Sequence, residues 1–448
     1  MTDVIHTPAL SFPIPDEWRW DRLQDVCSLF DCPHSTPHLA SDGPYIVRSQ
    51  DIRAGIFSRD RAAHVSEKTY IERTVRAVPS HGDLLFSREG TYFGIAAEVP
   101  ANIKVCLGQR MVLLRPSNPR VLDFQFLKYW LNSPTMVRHV RGFRDGSVAE
   151  RLNVPTIRSL AILIPPIREQ QFIAQSLSIL DQKIELNRCM NQTLEAMARS
   201  IFKSWFVDFG PVRTKMERNR APGIALDIAA LFPNAFQDSV LGKIPSGWYS
   251  TRLSEQIDIA SGGTPKTTQP EYWNGTVPWV SVADTAPGPY ITRTEKTITN
   301  AGVEQSAAQL LPAETIVITA RGTVGNTALT AEPMAMNQSC YGLRGRGRMG
   351  QLFLLYQVRQ QLAILRANTH GSVFETITRS TFDSIEVIQP PDGLLVAFEQ
   401  LARPLFDRIL LNQRENETLA DLRDALLPRF VSGEIRLRQA EKVVEARA

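Results

Sequence analysis

Two short stretches carry residue types suited to gripping an anion: Ser87-Arg88-Glu89-Gly90-Thr91 and Ala320-Arg321-Gly322-Thr323. Each follows a run of β-forming residues. Glycine there lets backbone N–H groups approach a phosphate closely, while arginine supplies charge and threonine a hydroxyl. The competing reading is an ordinary tight turn with a solvated arginine; the repetition favours a shared role. Gln109 and Gln338 stand in equivalent places, each just before an apolar run. A glutamine amide can donate to and accept from adenine at once, although a buried structural amide fits these positions equally well. Two basic runs, with Arg138, Arg141 and Arg144 in one and Arg344, Arg346 and Arg348 in the other, are further phosphate candidates, as are Thr264 and Lys266 in a glycine-rich loop. The alternative for a charge run is a solvated face.

Other chemistry finds little support. Cys27, Cys32, His34 and His38 are spaced C-x4-C-x-H-x3-H, which matches no common zinc pattern, so a buried cysteine pair beside surface histidines is expected and no metal is assigned. There is no GxxxxGK[ST] phosphate loop and no G-x-S-x-G elbow. Pro165-Pro166 and Pro390-Pro391 lie outside the Asn/Asp-Pro-Pro-aromatic motif of amino-methyltransferases and read as helix starts. No catalytic residue is assigned.

The chain of 448 residues is 43% hydrophobic and 21% charged, an ordinary globular balance with length for two or three cored domains. Its formal charge of +4 is mild. Residues 1–165 hold 20 Lys and Arg against 17 Asp and Glu, and residues 244–391 hold 11 of each, so neither segment is an electrostatic clamp. If nucleic acid is bound, partners must share the phosphate contacts. Five scattered cysteines argue for a reducing compartment. No apolar run nears the roughly 20 residues of a membrane span, and Met1 to Leu10 lacks the basic start and apolar core of a leader. A cytoplasmic protein with no membrane contact is expected.

The elements that must position these residues are written twice. Ile14-Pro15 and Trp18, with Arg22-Leu23, recur as Ile244-Pro245 and Trp248, with Arg252-Leu253; Gly146-Ser147-Val148 and Glu150 recur as Gly371-Ser372-Val373 and Glu375. Short β-forming runs (Tyr45 to Val47, Asp83 to Phe86, Met111 to Leu114, Val277 to Val282, Thr315 to Thr319) and helical stretches (Phe124 to Leu131, Gln351 to Leu365) make each copy a mixed, mostly β domain. After each copy comes a heptad pattern. Ile173, Leu177, Leu180, Ile184, Asn187, Asn191, Leu194, Ala198, Ile201 and Trp205 fall at steps of four and three, matched by Phe398, Ala402, Leu405, Ile409, Asn412, Asn416, Leu419, Arg423, Leu426 and Phe430. The expected fold is α+β: two mixed, mostly β domains separated by two long helices packed as an antiparallel coiled coil, with a pseudo-two-fold internal repeat. The asparagines form a polar layer that sets register, Asn187 with Asn412 being the anticipated partners. Pro404, inside the second helix, predicts a kink or a late helix start. The expected boundaries are 1–165 (first domain), 166–209 (central helix), 210–243 (linker, with a short helix over Leu226 to Phe232), 244–391 (second domain), 392–435 (distal helix) and 436–448 (charged tail).

This arrangement resembles the specificity subunit of a type I restriction-modification system. Ser261-Gly-Gly-Thr-Pro265, Glu271-Tyr-Trp273, Pro278-Trp279 and Ser281-Val-Ala-Asp284 are similar to the opening of that family's target recognition domain. Phe202-Lys-Ser-Trp-Phe-Val-Asp-Phe-Gly-Pro211 resembles the exit of its central conserved helix, and Leu426-Leu-Pro-Arg-Phe-Val-Ser-Gly-Glu-Ile435 the end of its distal one. The resemblance implies that each domain reads half of a bipartite site in double-stranded DNA, and that the helices act as a spacer and dock two methyltransferase (modification) subunits, joined for cleavage by two ATP-dependent restriction subunits. S-adenosylmethionine, Mg²⁺ and ATP would then belong to those partners and no cofactor to this chain. A duplicated, non-catalytic protein-binding scaffold is the alternative; a nuclease would need clustered acidic ligands that the sequence does not display.

Overall fold

The computed structural model describes residues 7–10, 13–53, 55–90, 93–143, 151–218, 223–285, 288–368 and 376–437. The chain divides into two units, residues 1–184 with 418–448 and residues 185–417. Both long helices, Ile167–Phe202 and Asp392–Val431, are cut by this division, so each unit holds one mixed domain and one half of each helix. The Gly146–Glu150 and Gly371–Glu375 repeat lies outside the described residues, as do Thr91 and Arg144.

In the first unit a four-stranded antiparallel sheet runs in the order Cys27–Asp31, Met111–Pro116, Leu84–Ser87, Ala96–Glu98. A second sheet places Leu39–Val47 between Ala63–Val65 and, in parallel, Val105–Leu107. Side chains alternate across the first sheet as a pleated strand requires. Leu84, Phe86, Val112 and Leu114 enter one core, while Leu85, Met111 and Leu113 enter another. Arg19–Arg22 pairs with Ala161–Ile164, so the start and end of the domain meet.

The second unit repeats this plan by itself. Its main sheet runs Ile257–Ser261, Cys340–Gly345, Ile316–Thr319, Thr327–Thr330, with Tyr290–Ile291 added in parallel. Trp273–Val280 lies between Lys296–Ile298 and, in parallel, Ala335–Met336. Tyr249–Arg252 pairs with Glu386–Gln389. The duplication is therefore one topology built twice, in the α+β class expected. The stretch expected as linker carries more structure than a short helix: helices Gly210–Arg218 and Leu226–Ala230 are followed by a hairpin of Phe236–Ser239 and Gly242–Pro245.

Both long helices begin at a Pro-Pro pair, the carbonyls of Pro166 and Pro391 accepting from Glu169 and Leu394. Within each unit the helix halves run in opposite directions. In the first, the rings of Phe172 and Phe430 meet at 5.7 Å and Arg423 donates to Asp181 at 2.8 Å. In the second, Asn187 donates to Asn416 at 2.9 Å and to Glu415 at 2.7 Å, while Asn412 donates to Asn191 at 2.8 Å. This direction corrects the anticipated partners, since antiparallel packing crosses the pairs and Asn187 bonds Asn416 rather than Asn412. None of the twenty heptad positions is exposed. A late start at Pro404 is also corrected: the distal helix is continuous from Asp392, and exposed Pro404 forgoes one backbone bond on the wet side.

Each domain opens by packing its tryptophan on a helix end. In the first unit the Trp18 indole donates to Glu169 at 3.1 Å, and Arg436 bonds the same carboxylate at 2.9 Å. In the second, Trp248 packs against Phe206 and Phe209. Each domain also grips the helices with a tyrosine. Burial and neighbouring Asp181 hold the Tyr129 hydroxyl protonated, and it donates to Asp181 at 2.6 Å; Tyr356 donates to the Glu195 carbonyl at 3.1 Å. Among the described residues no helix is long and apolar enough to cross a membrane.

Candidate nucleic-acid interface

Strand register decides which sequence candidates meet. In the first domain the loop after Leu84–Ser87 turns at Gly90, whose φ of 92° is open to glycine at little cost. The Arg88 backbone N–H donates to the Arg110 carbonyl at 3.0 Å, which brings Gln109 alongside, and a Cβ added at Gly90 would stand 3.6 Å from Ser49 Oγ. Loops 34–39, 48–50, 88–90 and 108–110 thus form one cluster, with a groove of about 380 Å³ bordered by Thr36, Arg48, Gln50, Gln109 and Arg110. A second cavity of about 310 Å³ lies beside Arg88, Glu89, Arg151 and Asn153.

The second domain assembles the same cluster from Gly262–Lys266, Ser281–Asp284, Arg321–Thr323 and Asn337–Ser339. Gly322 has φ 77° and faces Val282 at 3.8 Å from an added Cβ. The Thr264 hydroxyl donates to Gln338. Thr264, Lys266, Arg321, Thr323 and Gln338 are all exposed. Gly262 is demanded by close approach, because a Cβ there would sit 1.8 Å from the Asn337 carbonyl oxygen.

Charge is presented differently in the two clusters. Arg88 is largely covered, with Asp31 at 3.6 Å, while Glu89 pairs with Arg110 at 3.3 Å. The Arg48 guanidinium is held by fully buried Asp51 at 2.9 and 3.0 Å. The equivalent turn in the second domain is closed by Asp284, which accepts from Ser281 N–H at 2.7 Å and its hydroxyl at 2.6 Å.

The basic run of the second domain stands apart from its cluster. Arg344 donates to the Ala313 carbonyl at 3.0 Å and Thr315 at 3.2 Å, Arg346 pairs with Asp258 at 2.8 Å, and Arg348 faces Asp392 at 3.7 Å. They occupy the far end of the strand that starts beyond Gln338, roughly 20 Å along at ~3.3 Å per residue. Arg138 and Arg141 are exposed on helix Pro134–Gly142, whose Val140 abuts Gly94 at the edge of the first cluster.

Sequence reasoning missed Arg48, Ser49, Gln50 and Arg110 of the groove. An acidic residue three after the turn's first residue, in Arg48-Ser-Gln-Asp51 and Ser281-Val-Ala-Asp284, was the available signal. It also missed the groups that floor the loops. Buried Arg73 donates to the carbonyls of Leu107 (2.8 Å), Ser35 (3.0 Å) and Pro33 (3.2 Å). In the second domain the indole of Trp279 donates to Gly263 at 2.9 Å and that of Trp273 to Lys266 at 3.2 Å. Cys27 and Cys32 enter different cores, and among the described residues no group of three or more His, Cys, Asp or Glu is placed to hold a metal.

One domain topology is thus built twice on paired helices, each copy ending in a cluster of polar and charged loops. The chain belongs to the type I restriction modification DNA specificity domain family, whose model matches residues 15–196 and 245–393, one match per domain. It is 27% identical over 405 residues to the Type I restriction enzyme HindI specificity subunit of Haemophilus influenzae, covering 79% of this chain and 86% of that one. It is 24% identical to the MjaIX specificity subunit of Methanocaldococcus jannaschii, over 95% of both chains. Among solved structures it resembles the type I S subunit from M. genitalium, with a TM-score of 0.56 over 95% of this chain and 98% of that one at 15% identity. DNA recognition within type I restriction-modification is its role.

Proposed function

We propose that each domain reads one half of a bipartite, asymmetric site in double-stranded DNA, through loops 34–39, 48–50, 88–90 and 108–110 in the first and their counterparts in the second. The observation that carries this is one framework built twice with different side chains at its loop tips, as two unlike half-sites require. The helices act as spacer and as docking surface for two methyltransferase subunits. Ile179, Leu186, Met197, Leu411 and Leu422 are exposed along them, apolar surface available to partners. The balanced charge of each domain supports sharing phosphate contacts with those partners. The chain itself is non-catalytic and cytoplasmic; S-adenosylmethionine, Mg²⁺ and ATP act on the methyltransferase subunits and on two ATP-dependent restriction subunits.

Co-expression with the host's methyltransferase subunit, followed by purification and mapping of methylated adenines, tests this reading. A stable complex and a motif of two fixed halves around an unread gap are expected. A chain that captures no methyltransferase, or a methylated motif that is contiguous, would contradict it.

A further inference from the structure

We infer that Gln109 and Gln338 are positioning residues, each fixing the tip of one DNA-facing loop, residues 33–38 and 262–266, and that these loops rather than the amides make the base contacts. This rests on the reading of each domain as a half-site reader. The argument begins at the sheet. Asp31 lies opposite Val112 and Ser261 opposite Tyr341. One residue on, the Cys32 N–H donates to the Met111 carbonyl at 3.3 Å, and the Gly262 N–H donates to the Cys340 carbonyl at 3.3 Å. The chain then leaves the sheet in both domains, and the residue two before Met111 or Cys340 faces the departing loop. That residue is glutamine each time.

The amides are spent inward. Gln109 Nε2 donates to the His34 carbonyl at 2.9 Å and to Thr36 Oγ1 at 3.3 Å, and Gln338 Oε1 accepts from the Thr264 hydroxyl. Reading adenine takes one amide donor and the acceptor together. The first glutamine has both donors committed, and the second has its carbonyl oxygen turned toward the loop with one of two lone pairs taken, so Gln109 offers no such pair and Gln338 presents its acceptor inward. The rest of each loop is locked from below by Arg73 in one domain and Trp279 in the other. What faces outward is the loop itself: Thr36 and Pro37 border the groove, and Thr264 and Lys266 are exposed.

Substitution by glutamate separates the two roles, because the domains use opposite ends of the amide. A carboxylate at 338 still accepts from Thr264, whereas a carboxylate at 109 cannot donate to the His34 carbonyl. The test maps methylated adenines in cells carrying the full chain with its methyltransferase subunits. An unvaried chain that yields no two-part motif defeats the half-site reading itself. Given such a motif, Gln109→Ala and Gln338→Ala should each lose base preference about tenfold at one or two positions of a single half. Gln109→Glu should behave as Gln109→Ala, and Gln338→Glu should keep the original second half. The untouched half shows in each case that the subunit folds and assembles. The inference is overturned if Gln338→Glu changes or loses the second half, as direct readout requires, if either alanine variant leaves both halves intact, or if one variant degrades both halves.

Discussion

In the first domain the arginine of the repeated loop, Arg88, lies against Asp31 with 18% of its side chain exposed. In the second, Arg321 stands on the same turn, exposed and without a hydrogen bond or ion pair among the described residues. The loop floors differ as well, with a guanidinium on three carbonyls in one domain and two indoles in the other. The sheet order, the turn-closing aspartate and the glutamine tie are shared. What is kept is the frame and what changes is the finish, as the proposed reading of two unlike half-sites requires. A surface that must differ between copies cannot carry the fold, so the fold is carried by strand register and by groups turned inward.

The frame is where substitution should cost most. Gly262→Ala meets the Asn337 carbonyl oxygen at 1.8 Å, and neither backbone is free to move; about 3 kcal/mol of stability should be lost, seen as a lowered thermal midpoint. Gly90→Ala, with open space to 3.6 Å but a positive φ, should cost about 1 kcal/mol. Equal losses would mean that the loops are not packed as described.

A smaller effect separates the floors. Arg73→Met leaves three carbonyls without their donor and should cost about 2 kcal/mol, while Trp279→Phe removes one indole bond and should cost about 1 kcal/mol. Denaturant titration of the two variants orders them; a greater loss for Trp279→Phe would reverse the comparison.

The smallest effect is electrostatic. Arg321→Ala should weaken binding to all DNA sequences and lower the salt slope by about one unit. Arg88→Ala should lower it by less, because Asp31 already shares that charge, and Asp31→Asn should raise it. Equal slopes for the two arginine variants would remove the distinction drawn between the loops.

The sequence showed the duplication, the strands, the helix pattern and the family because each is written as a period or an ordered motif. It also placed Arg88, Gly90 and Gln109 with their counterparts Arg321, Gly322 and Gln338, since equivalent positions in a repeat share a structural address. What escaped depends on contacts between residues far apart in sequence. The inward use of the glutamines follows from strand register, and Arg73 reaches Pro33 across forty residues. The asparagine partners were crossed because heptad spacing sets a layer and not its pairing. The arginines of 344–348 form a dense run in sequence, yet strand direction takes them away from Gln338 and acidic neighbours occupy Arg346 and Arg348.

Exchange of residues 244–391 for the matching segment of a related subunit tests most directly the claim of one frame with two independent readers. The helices and the first domain are untouched by this exchange. Sequencing of methylated adenines in cells carrying the hybrid should show the original first half, the donor's second half and an unchanged gap. A hybrid in which both halves change together would mean that the domains read DNA jointly, and the modular account would fail.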